Sequence, residues 1–372
     1  MKQRPVAMIM AGGTGGHVFP ALALARRLQG AACDVIWLGT QRGIEARVVP
    51  AAGISIVWVD VSGVRGKHVA TLLAAPFRIA RAVWQSLRAM RIHRPVVVVG
   101  LGGFVSGPGG LAAWLSRRPL VIHEQNAIAG LTNRLLARLA TQVLEAFPGS
   151  FGQLTVVTRT IGNPVRSEFF AQRPPAERLR STIQRGTPVK VLVVGGSQGA
   201  LKLNAVVPKA LAELTRQGWS FAIRHQAGER WLAETEKNYR DAGVFATVDK
   251  FIDDVAGAYA AADLVICRAG ALTVSEIAAV GVASVLVPFA AAVDDHQTAN
   301  ARYLVRAQAA VLVPESELTA ERLAAEVGQL LNQPGRLRAM AQNARSLARP
   351  DATEELARSA LAAAGLTLET AA

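Results

Sequence analysis

The sequence predicts an α/β protein of two doubly wound domains, and three observations lead to this prediction. Short β-branched apolar runs alternate with alanine- and leucine-rich stretches along most of the chain. These runs are apolar throughout instead of alternating with polar residues, which is typical of parallel strands buried on both faces. One layout, a strand followed by Gly-Gly-[Thr/Ser]-x-Gly and a helix, occurs after Val6 and again after Val189. At 372 residues the chain is long enough for two cores.

Eight apolar runs predict the strands in chain order. They are residues 6–10, 35–38, 96–99 and 120–122 in the first half, and 191–194, 221–223, 264–266 and 284–287 in the second half. The stretches between them predict helices that cover both sheets. A polar, proline-containing segment, residues 163–188, predicts the linker. From Pro334 onward the sequence predicts only helices, which could pack on either domain.

The composition limits the classes of function. The net charge of +14 implies an anionic partner, which could be a nucleic acid, a phosphorylated metabolite or an acidic membrane. Only two cysteines occur, Cys33 and Cys267, which argues against disulfides and against a cysteine zinc site. Residues 95–116 carry no charge, but six glycines and an internal proline favour a buried strand and a glycine-rich loop over a membrane span.

Unusual residues follow directly on the predicted strands, in "AGGTGGH", "GLGGFVSGPGG", "HEQN", "GGSQGA", "RHQAGE", "CRAGALTVSE" and "PFAAAVDDHQ". In open α/β sheets ligands bind outside the carboxyl ends of the strands. We therefore expect these segments to line one cleft, which lies between the domains if both contribute.

Two glycine-rich loops are candidate anion sites, because they bring backbone N–H groups to the start of a helix. The first contains Gly12, Gly13, Gly15 and Gly16, and the second contains Gly195, Gly196, Ser197, Gln198 and Gly199. A tight turn needed only for packing is the alternative. Neither loop continues into the Gly-Lys-[Ser/Thr] of a Walker A motif, and neither is followed by the acid of a dinucleotide site, so we expect no such cofactor.

Three side chains are candidates for chemistry or binding. His17, at the start of the first helix, suits proton abstraction at neutral pH, although it could simply bond to the backbone there. Thr273 and Glu276 have the spacing of a capping box, so Glu276 could cap a helix or bind sugar hydroxyls. Arg166 could bind a phosphate or be a solvated linker charge.

Residues 72–91 predict an amphipathic helix with aromatic side chains at the edge of its apolar face. One stripe holds Arg78, Arg81, Arg88 and Arg91, another holds Ile79, Val83, Leu87 and Met90, and Phe77 and Trp84 lie near the boundary. This pattern is typical of a helix on anionic lipid. The common alternative is a helix that only covers a core.

Taken together, these segments resemble the MurG family of glycosyltransferases, which belongs to family 28. The resemblance rests on "GGTGGHVFPALALA", "SGVRGK", "GGFVSGPGGLAAW", "HEQNAIAGLTN", "IGNPVR", "GGSQGA", "FIDDV", "CRAGALTVSEIAA" and "DDHQTANA". It implies the GT-B architecture, two Rossmann-like domains facing across a cleft. It also implies transfer of N-acetylglucosamine from its UDP donor to the C4 hydroxyl of the muramyl sugar of lipid I, giving lipid II for peptidoglycan synthesis, cell shape and division. The reaction would invert the anomeric centre and need neither metal nor cofactor.

The resemblance also implies domains and partners. Residues 1–164 would form the acceptor and membrane-associating domain, with the C-terminal helix at about 345–372 packed back on it, and residues 165–344 the UDP-sugar domain. The protein would lie peripherally on the cytoplasmic face of the bacterial inner membrane. Its partners would be UDP-N-acetylglucosamine, lipid I, anionic phospholipid and proteins of cell-wall synthesis, with no nucleic acid.

Site residues follow from the resemblance position by position. Donor contacts would come from Thr14, Gly15, Gly16, Asn126, Arg166, Ser197, Gln198, Ile252, Ala271, Leu272, Thr273, Val274, Ser275, Glu276 and Gln297. The acceptor pyrophosphate would meet Gly13, Gly102 and Gly103, His17 would be the general base, and Phe77, Arg78, Arg81 and Trp84 would contact the membrane. The sequence departs from the family at Ala290, Ala291 and Ala292, where polar or ring side chains often occur, so donor-sugar contacts from that segment are in doubt.

Two alternatives remain. A UDP-N-acetylglucosamine 2-epimerase, or another GT-B enzyme that uses a UDP-sugar, would share the fold. A nucleic-acid binder would explain the charge, but aromatic residues are sparse and no more than two basic residues are adjacent.

Overall fold

A computed structural model describes residues 4–61, 75–180, 184–196, 199–292 and 295–368. The chain divides into two compact units. The N-terminal unit ends at Val165 and takes up the chain again from Asp351, and the C-terminal unit is Arg166–Pro350. The motif "SGVRGK" and residues Ser197 and Gln198 lie outside the described residues.

The N-terminal unit is built on a parallel sheet, which has seven strands in the described part of the chain. Their order is β3-β2-β1-β4-β5-β6-β7. The strands are β1 Val6–Met10, β2 Asp34–Gly39, β3 Ser55–Trp58, β4 Val97–Gly100, β5 Leu120–Glu124, β6 Gln142–Glu145 and β7 Thr158–Thr160. The helices between them are α1 Gly15–Gly30, α2 Glu45–Ala51, α3 Ala75–His93, α4 Ser106–Leu115 and α5 Leu131–Leu136.

The C-terminal unit repeats this plan with six parallel strands among its described residues, in the order β10-β9-β8-β11-β12-β13. The strands are β8 Val189–Val194, β9 Phe221–Gln226, β10 Ala246–Asp249, β11 Leu264–Cys267, β12 Ala283–Leu286 and β13 Ala310–Leu312. The helices are α6 Ser167–Phe170, α7 Pro175–Arg178, α8 Leu201–Arg216, α9 Leu232–Asp241, α10 Val255–Ala261, α11 Ala271–Val280, α12 His296–Arg306, α13 Ala320–Leu331 and α14 Arg336–Ser346. A last helix, α15 Ala352–Ala363, belongs to the N-terminal unit.

The prediction of two Rossmann-like α/β domains is confirmed. In both sheets the first strand lies between the second and the fourth, so the direction of strand order reverses there. Met10 pairs with Gly100 across β1 and β4, and Val194 pairs with Cys267 across β8 and β11. The loops that follow these strand pairs therefore leave each sheet side by side, which is where such folds bind ligands.

All eight predicted strands are present, the first with the predicted ends and the others with ends that differ by at most three residues. Five further strands were missed: β3, β6, β7, β10 and β13. They are short and several carry polar residues, as in the "TRT" of β7 and the "ATVD" of β10. Pairing with an already formed sheet, more than local apolar character, determines these strands.

Helix α15 completes one face of the N-terminal unit. Leu356, Ala357, Ala360 and Leu361 are fully buried in the same core as residues of β1 and α1. The Nε of Arg27 on α1 donates to Oε2 of Glu354 at 2.5 Å, so a charged pair flanks the apolar contact. No helix in the described part of the chain is long and apolar enough to cross a bilayer.

Candidate active site

In the N-terminal unit the glycine loop after β1 touches the glycine loop after β4, at the point where strand order reverses. Gly103, after β4, has a positive φ of 84°, and a Cβ there would lie 2.3 Å from the carbonyl oxygen of Gly12, after β1. Only glycine permits both this conformation and this approach. The loops therefore form one continuous backbone surface.

A buried carboxylate supports the first loop from beneath. Glu45 Oε2 accepts from the Gly13 N–H at 2.9 Å, and Oε1 accepts from the N–H and hydroxyl of Thr40 at 3.1 and 2.7 Å. The amide of Gly13 is thus already engaged, so Gly13 shapes the loop through its φ of 92°. Sequence analysis missed Glu45, because no motif surrounds it.

Helix α1 starts directly after this loop. Thr14 precedes it in extended conformation, and the first turn contains no acidic residue. The first N–H groups of a helix have no acceptor within the helix, and they lie at the positive end of its dipole. The start of α1 at Gly15 and Gly16 is therefore suited to an anion.

His17 lies in the first turn of α1 and packs against the glycine loop that follows β4. A Cβ on Gly102 would come within 2.6 Å of its Nδ1. The same Nδ1 is 3.0 Å from Oε1 of Gln125, the residue after β5. The imidazole ring is thus hydrogen-bonded to a side chain that follows β5. The alternative interpretation, in which the ring bonds to the backbone at the start of the helix, does not describe this bond.

The "HEQN" segment after β5 is held by a second buried carboxylate. Glu124 Oε1 accepts from the backbone N–H and Nδ2 of Asn126 at 2.9 and 3.2 Å. Glu124 Oε2 accepts from Asn133 Nδ2 at 2.9 Å and from the Gly130 N–H at 3.1 Å. These bonds hold Asn126, a predicted donor contact, in a defined position on the N-terminal unit.

The C-terminal unit has a cavity of about 880 Å³ at its own reversal of strand order. It lies between the loops after β8 and β11 and the first turns of α8 and α11. Predicted residues Thr273 and Gln297 line it, together with Gly195, Gly196, Gly199 and Gly270. Ile252, Glu276 and Arg166 are not among its lining residues, and Ile252 is buried.

Residues that sequence analysis missed also line this cavity, among them Lys202, Arg268, Phe289 and Glu315. Arg268 forms an ion pair with Glu315, and its guanidinium lies 5.3 Å from the centre of the Phe289 ring. Burial acts to raise the pKa of Glu315, but bonds from the Ala290 N–H and Arg268 outweigh it and lower that pKa. The one signal in the sequence that could have identified Arg268 is its position: it is a cation that directly follows the buried strand β11.

The segment with three alanines is anchored through its backbone. The Phe289 N–H donates to Oε1 of Gln297 at 2.9 Å, and the Ala290 N–H donates to Oε2 of Glu315 at 2.8 Å. The amide oxygen of Gln297 is thereby engaged. The side chains at Ala290, Ala291 and Ala292 are methyl groups, so this segment offers polar groups only through its backbone there.

The capping-box interpretation of Thr273 and Glu276 is wrong. Helix α11 begins at Ala271 after an extended Gly270, and no side chain caps it. Thr273 is therefore inside the first turn and Glu276 inside the second. Burial raises the pKa of Glu276 to about 7, the positive charge of Arg166 opposes that rise and the charge of Glu168 adds to it.

Arg166 begins the C-terminal unit beside this carboxyl. Its Nη1 is 2.9 Å from Oε1 of Glu168, and its guanidinium lies 5.1 Å from the centre of the Phe169 ring. The ion pair is about half exposed, so it is weak and can exchange for another anion.

Helix α3 has a core face and a separate exposed apolar face. Its buried residues are Ala82, Ser86, Ala89 and Met90. Phe77 and Trp84 are 80% and 60% exposed, and Ile79 is exposed beside them. Arg88 lies over the Trp84 ring at 6.0 Å, and Arg81 pairs with Asp60 at 3.4 Å. Covering the core therefore explains only one side of this helix.

Comparison with known proteins identifies the family. Residues 7–145 match the glycosyltransferase family 28 N-terminal domain, and residues 190–356 match the glycosyltransferase family 28 C-terminal domain. The chain belongs to glycosyltransferase family 28.

Relatives within this family are similar over nearly the whole chain. A UDP-N-acetylglucosamine--N-acetylmuramyl-(pentapeptide) pyrophosphoryl-undecaprenol N-acetylglucosamine transferase from Alkalilimnicola ehrlichii is 55% identical over 351 residues, which are 94% of this chain and 97% of that one. The enzyme of the same name from Burkholderia cenocepacia is 53% identical over 367 residues, 97% of each chain. The crystal structure of Acinetobacter baumannii MurG has 41% identity and a TM-score of 0.83, covering 96% of this chain and 99% of that one. The family 28 protein described here is thus a glycosyltransferase with the GT-B fold.

Proposed function

We propose that this glycosyltransferase moves N-acetylglucosamine from UDP-N-acetylglucosamine to the C4 hydroxyl of the muramyl sugar of lipid I, giving lipid II. The main support is 55% identity, over 94% of the chain, to an enzyme named for transfer of N-acetylglucosamine. The arrangement of His17 beside two touching glycine loops supports the same reaction. The transfer is a single displacement with inversion and requires no metal.

The C-terminal unit binds the donor in this proposal. The cavity offers two cations, Lys202 and Arg268, and the starts of two helices without acidic residues in their first turns. These groups suit a diphosphate. Ser197 and Gln198 would contact the same diphosphate, and Ile252 would lie against uracil. Residues 271–276 would surround uracil, ribose and phosphate, with Glu276 on the ribose hydroxyls, and Gln297 would bind the sugar.

The N-terminal unit binds the acceptor. Its pyrophosphate would lie on the backbone of Gly102 and Gly103, beside the start of α1, whose first turn contains no acidic residue to oppose an anion. Gly13 would contribute by shaping the loop through its positive φ, because its N–H is bonded to Glu45. Thr14, Gly15, Gly16 and Asn126 would complete the contacts to the donor.

In the chemical step one proton is transferred to His17 and UDP is the leaving group. His17 accepts the proton of the C4 hydroxyl while that oxygen attacks the anomeric carbon, and the bond between this carbon and the UDP oxygen breaks. Negative charge then develops on the diphosphate. Helix N-termini and Arg166 would stabilise that charge, since preorganised dipoles and cations lower the barrier without needing to reorient.

Helix α3 would bring the enzyme to its lipid-linked acceptor. An apolar groove of about 670 Å³ lies beside it, lined by Ile79, Val83, Trp84 and Leu87 of α3 and Leu111 of α4. Arg78 and Arg81 accompany the exposed Phe77 and Trp84, and the chain carries a net charge of +14. This combination suits the anionic cytoplasmic face of the bacterial inner membrane.

The test is transfer of labelled N-acetylglucosamine from its UDP donor to a lipid I analogue, by purified protein in the presence of a metal chelator. We expect labelled lipid product with a β-glycosidic bond. We expect His17→Gln to bind UDP-N-acetylglucosamine normally but to turn over roughly 10²–10⁴-fold more slowly. His93→Gln, at the end of α3, is the matched control and should retain full turnover.

Two results would contradict the proposal. Conversion of the donor without an acceptor, and without lipid product, would favour the epimerase. Full turnover by His17→Gln would remove His17 from the base role while leaving the transfer reaction intact.

A further inference from the structure

Four polar groups form a chain of hydrogen bonds that ends at His17. The carbonyl oxygen of Gly162 lies 2.9 Å from Nε2 of His123, and Nδ1 of His123 lies 3.3 Å from Nε2 of Gln125. Oε1 of Gln125 lies 3.0 Å from Nδ1 of His17. All four residues belong to the N-terminal unit.

The two middle residues of this series of hydrogen bonds are shielded from water. His123 and Gln125 are 0% and 1% exposed. Asn163 Nδ2 donates to the backbone carbonyl of Gln125 at 3.1 Å, which holds Gln125 in place from the same segment that supplies Gly162. Water therefore does not compete for the two bonds of His123, and each of these bonds joins one donor to one acceptor.

The Gly162 carbonyl determines the direction of every bond. A carbonyl oxygen only accepts, so Nε2 of His123 carries the proton. Burial lowers the pKa of His123 to about 4, so the ring is neutral near pH 7 and its Nδ1 has a free electron pair. That atom accepts from the amide NH₂ of Gln125. Gln125 therefore presents its oxygen to His17, and Nδ1 of His17 must be the donor.

We propose that Gln125 and His123 are positioning residues that hold neutral His17 with its proton on Nδ1, so that Nε2 is the atom that takes the proton of the acceptor hydroxyl. This inference rests on the proposed role of His17 as general base. This matters because a neutral imidazole in water favours the other tautomer, with the proton on Nε2. In that tautomer Nε2 has no free electron pair and cannot accept the proton of the hydroxyl. The hydrogen bond at one ring nitrogen decides the state of the other.

The test is the tautomer of His17, read from long-range ¹H–¹⁵N correlation spectra of the full-length protein with ¹⁵N-labelled histidine. His17→Gln identifies the His17 signals. In the parent at about pH 8, we expect Nδ1 to be protonated and Nε2 to be bare. This measurement needs no variant of Gln125, so it stands even if such a variant folds poorly.

Two substitutions of Gln125 then distinguish the effect of its hydrogen bonds from the effect of its size. Gln125→Met keeps the length of the side chain but makes neither bond, so we expect the Nε2–H tautomer to appear and kcat to fall about ten-fold or more. KM for UDP-N-acetylglucosamine should stay within about two-fold of the parent value. Gln125→Glu keeps an acceptor for His17, so it should retain the Nδ1–H tautomer and recover part of kcat. Gln29→Met, on the exposed end of α1, is the matched control and should leave both unchanged.

Each contrary result has a distinct meaning. A proton on Nε2 of His17 in the parent overturns the proposal, and so does an unchanged tautomer in Gln125→Met. A changed tautomer with unchanged kcat also overturns it, because His17 would then not be the base. Failure of the proposed function would look different, since the parent protein would make no lipid product.

Discussion

Glu276 is a carboxyl whose charge changes near neutral pH. Burial raises its pKa to about 7, although Arg166 opposes the rise. A carboxylate accepts hydrogen bonds at both oxygens, whereas the protonated form must place a donor at one of them. If Glu276 binds the two ribose hydroxyls, its ionised form is the better ligand. Donor affinity should therefore increase as the pH rises through 7.

We expect UDP-N-acetylglucosamine to bind up to about ten-fold more tightly at pH 8 than at pH 6, since the ionised fraction rises from about 0.1 to about 0.9. Calorimetric titration measures this, and the sugar nucleotide itself does not titrate in that range. Glu276→Gln should bind equally at both pH values. Glu168→Gln should move the midpoint to lower pH, because Glu168 raises the pKa of Glu276. Identical pH dependence in Glu276→Gln and the parent would exclude this role.

At the scale of elements, α3 shows how one helix can serve two surfaces. Small residues, Ala82, Ser86 and Ala89, face the core, which allows α3 to pack closely against helix α4. Its bulky aromatics face outward instead. The predicted apolar stripe of Ile79, Val83, Leu87 and Met90 is thus divided, because Met90 is buried in the core and Ile79 is exposed.

We expect Phe77→Ser with Trp84→Ser to weaken binding to anionic vesicles by roughly ten-fold or more, because two apolar side chains no longer enter the bilayer interface. Turnover of a soluble acceptor analogue should be unchanged. Vesicle sedimentation measures the binding. Phe245→Ser removes an aromatic that is 89% exposed on the C-terminal unit, so it is the matched control. Equal vesicle binding by the double variant and the parent would contradict the membrane role of α3.

At the scale of the whole molecule, the chain closes the N-terminal unit with its last helix. Helix α15 follows the entire C-terminal unit in sequence, yet it packs on α1 and shares the core of β1. The stability of the N-terminal unit therefore depends on residues beyond Pro350. The C-terminal unit has its own core of β8, α8 and α13 residues.

We expect Leu356→Ala to destabilise the N-terminal unit by about 2–5 kcal/mol, because it leaves a cavity at a fully buried position. Hydrogen–deuterium exchange should show faster exchange in β1 and unchanged exchange in β8. Arg358→Ala, on the exposed side of the same helix, should change stability by about 0.5 kcal/mol or less. Equal acceleration in β1 and β8 would mean that the two cores do not unfold separately.

The central strands and the glycine loops could be predicted from the sequence because each obeys a local rule. A strand buried on both faces must be apolar throughout, and a loop with positive φ or close backbone contact must use glycine, as at Gly103. Strand β7 obeys no such rule. Its "TRT" becomes a strand only because β6 offers an open edge.

The sequence by itself determined the α/β class, the two domains, the repeated loops and the family, since these depend on patterns within about thirty neighbouring residues. Only the tertiary structure decided which partners the buried polar groups have. Arg268 and Glu315 are 47 residues apart along the chain, and His17 and Gln125 are 108 apart. Their pairing follows from the order of strands in each sheet. A charge or hydrogen bond acts over a few ångströms in space, and the sequence does not record that distance.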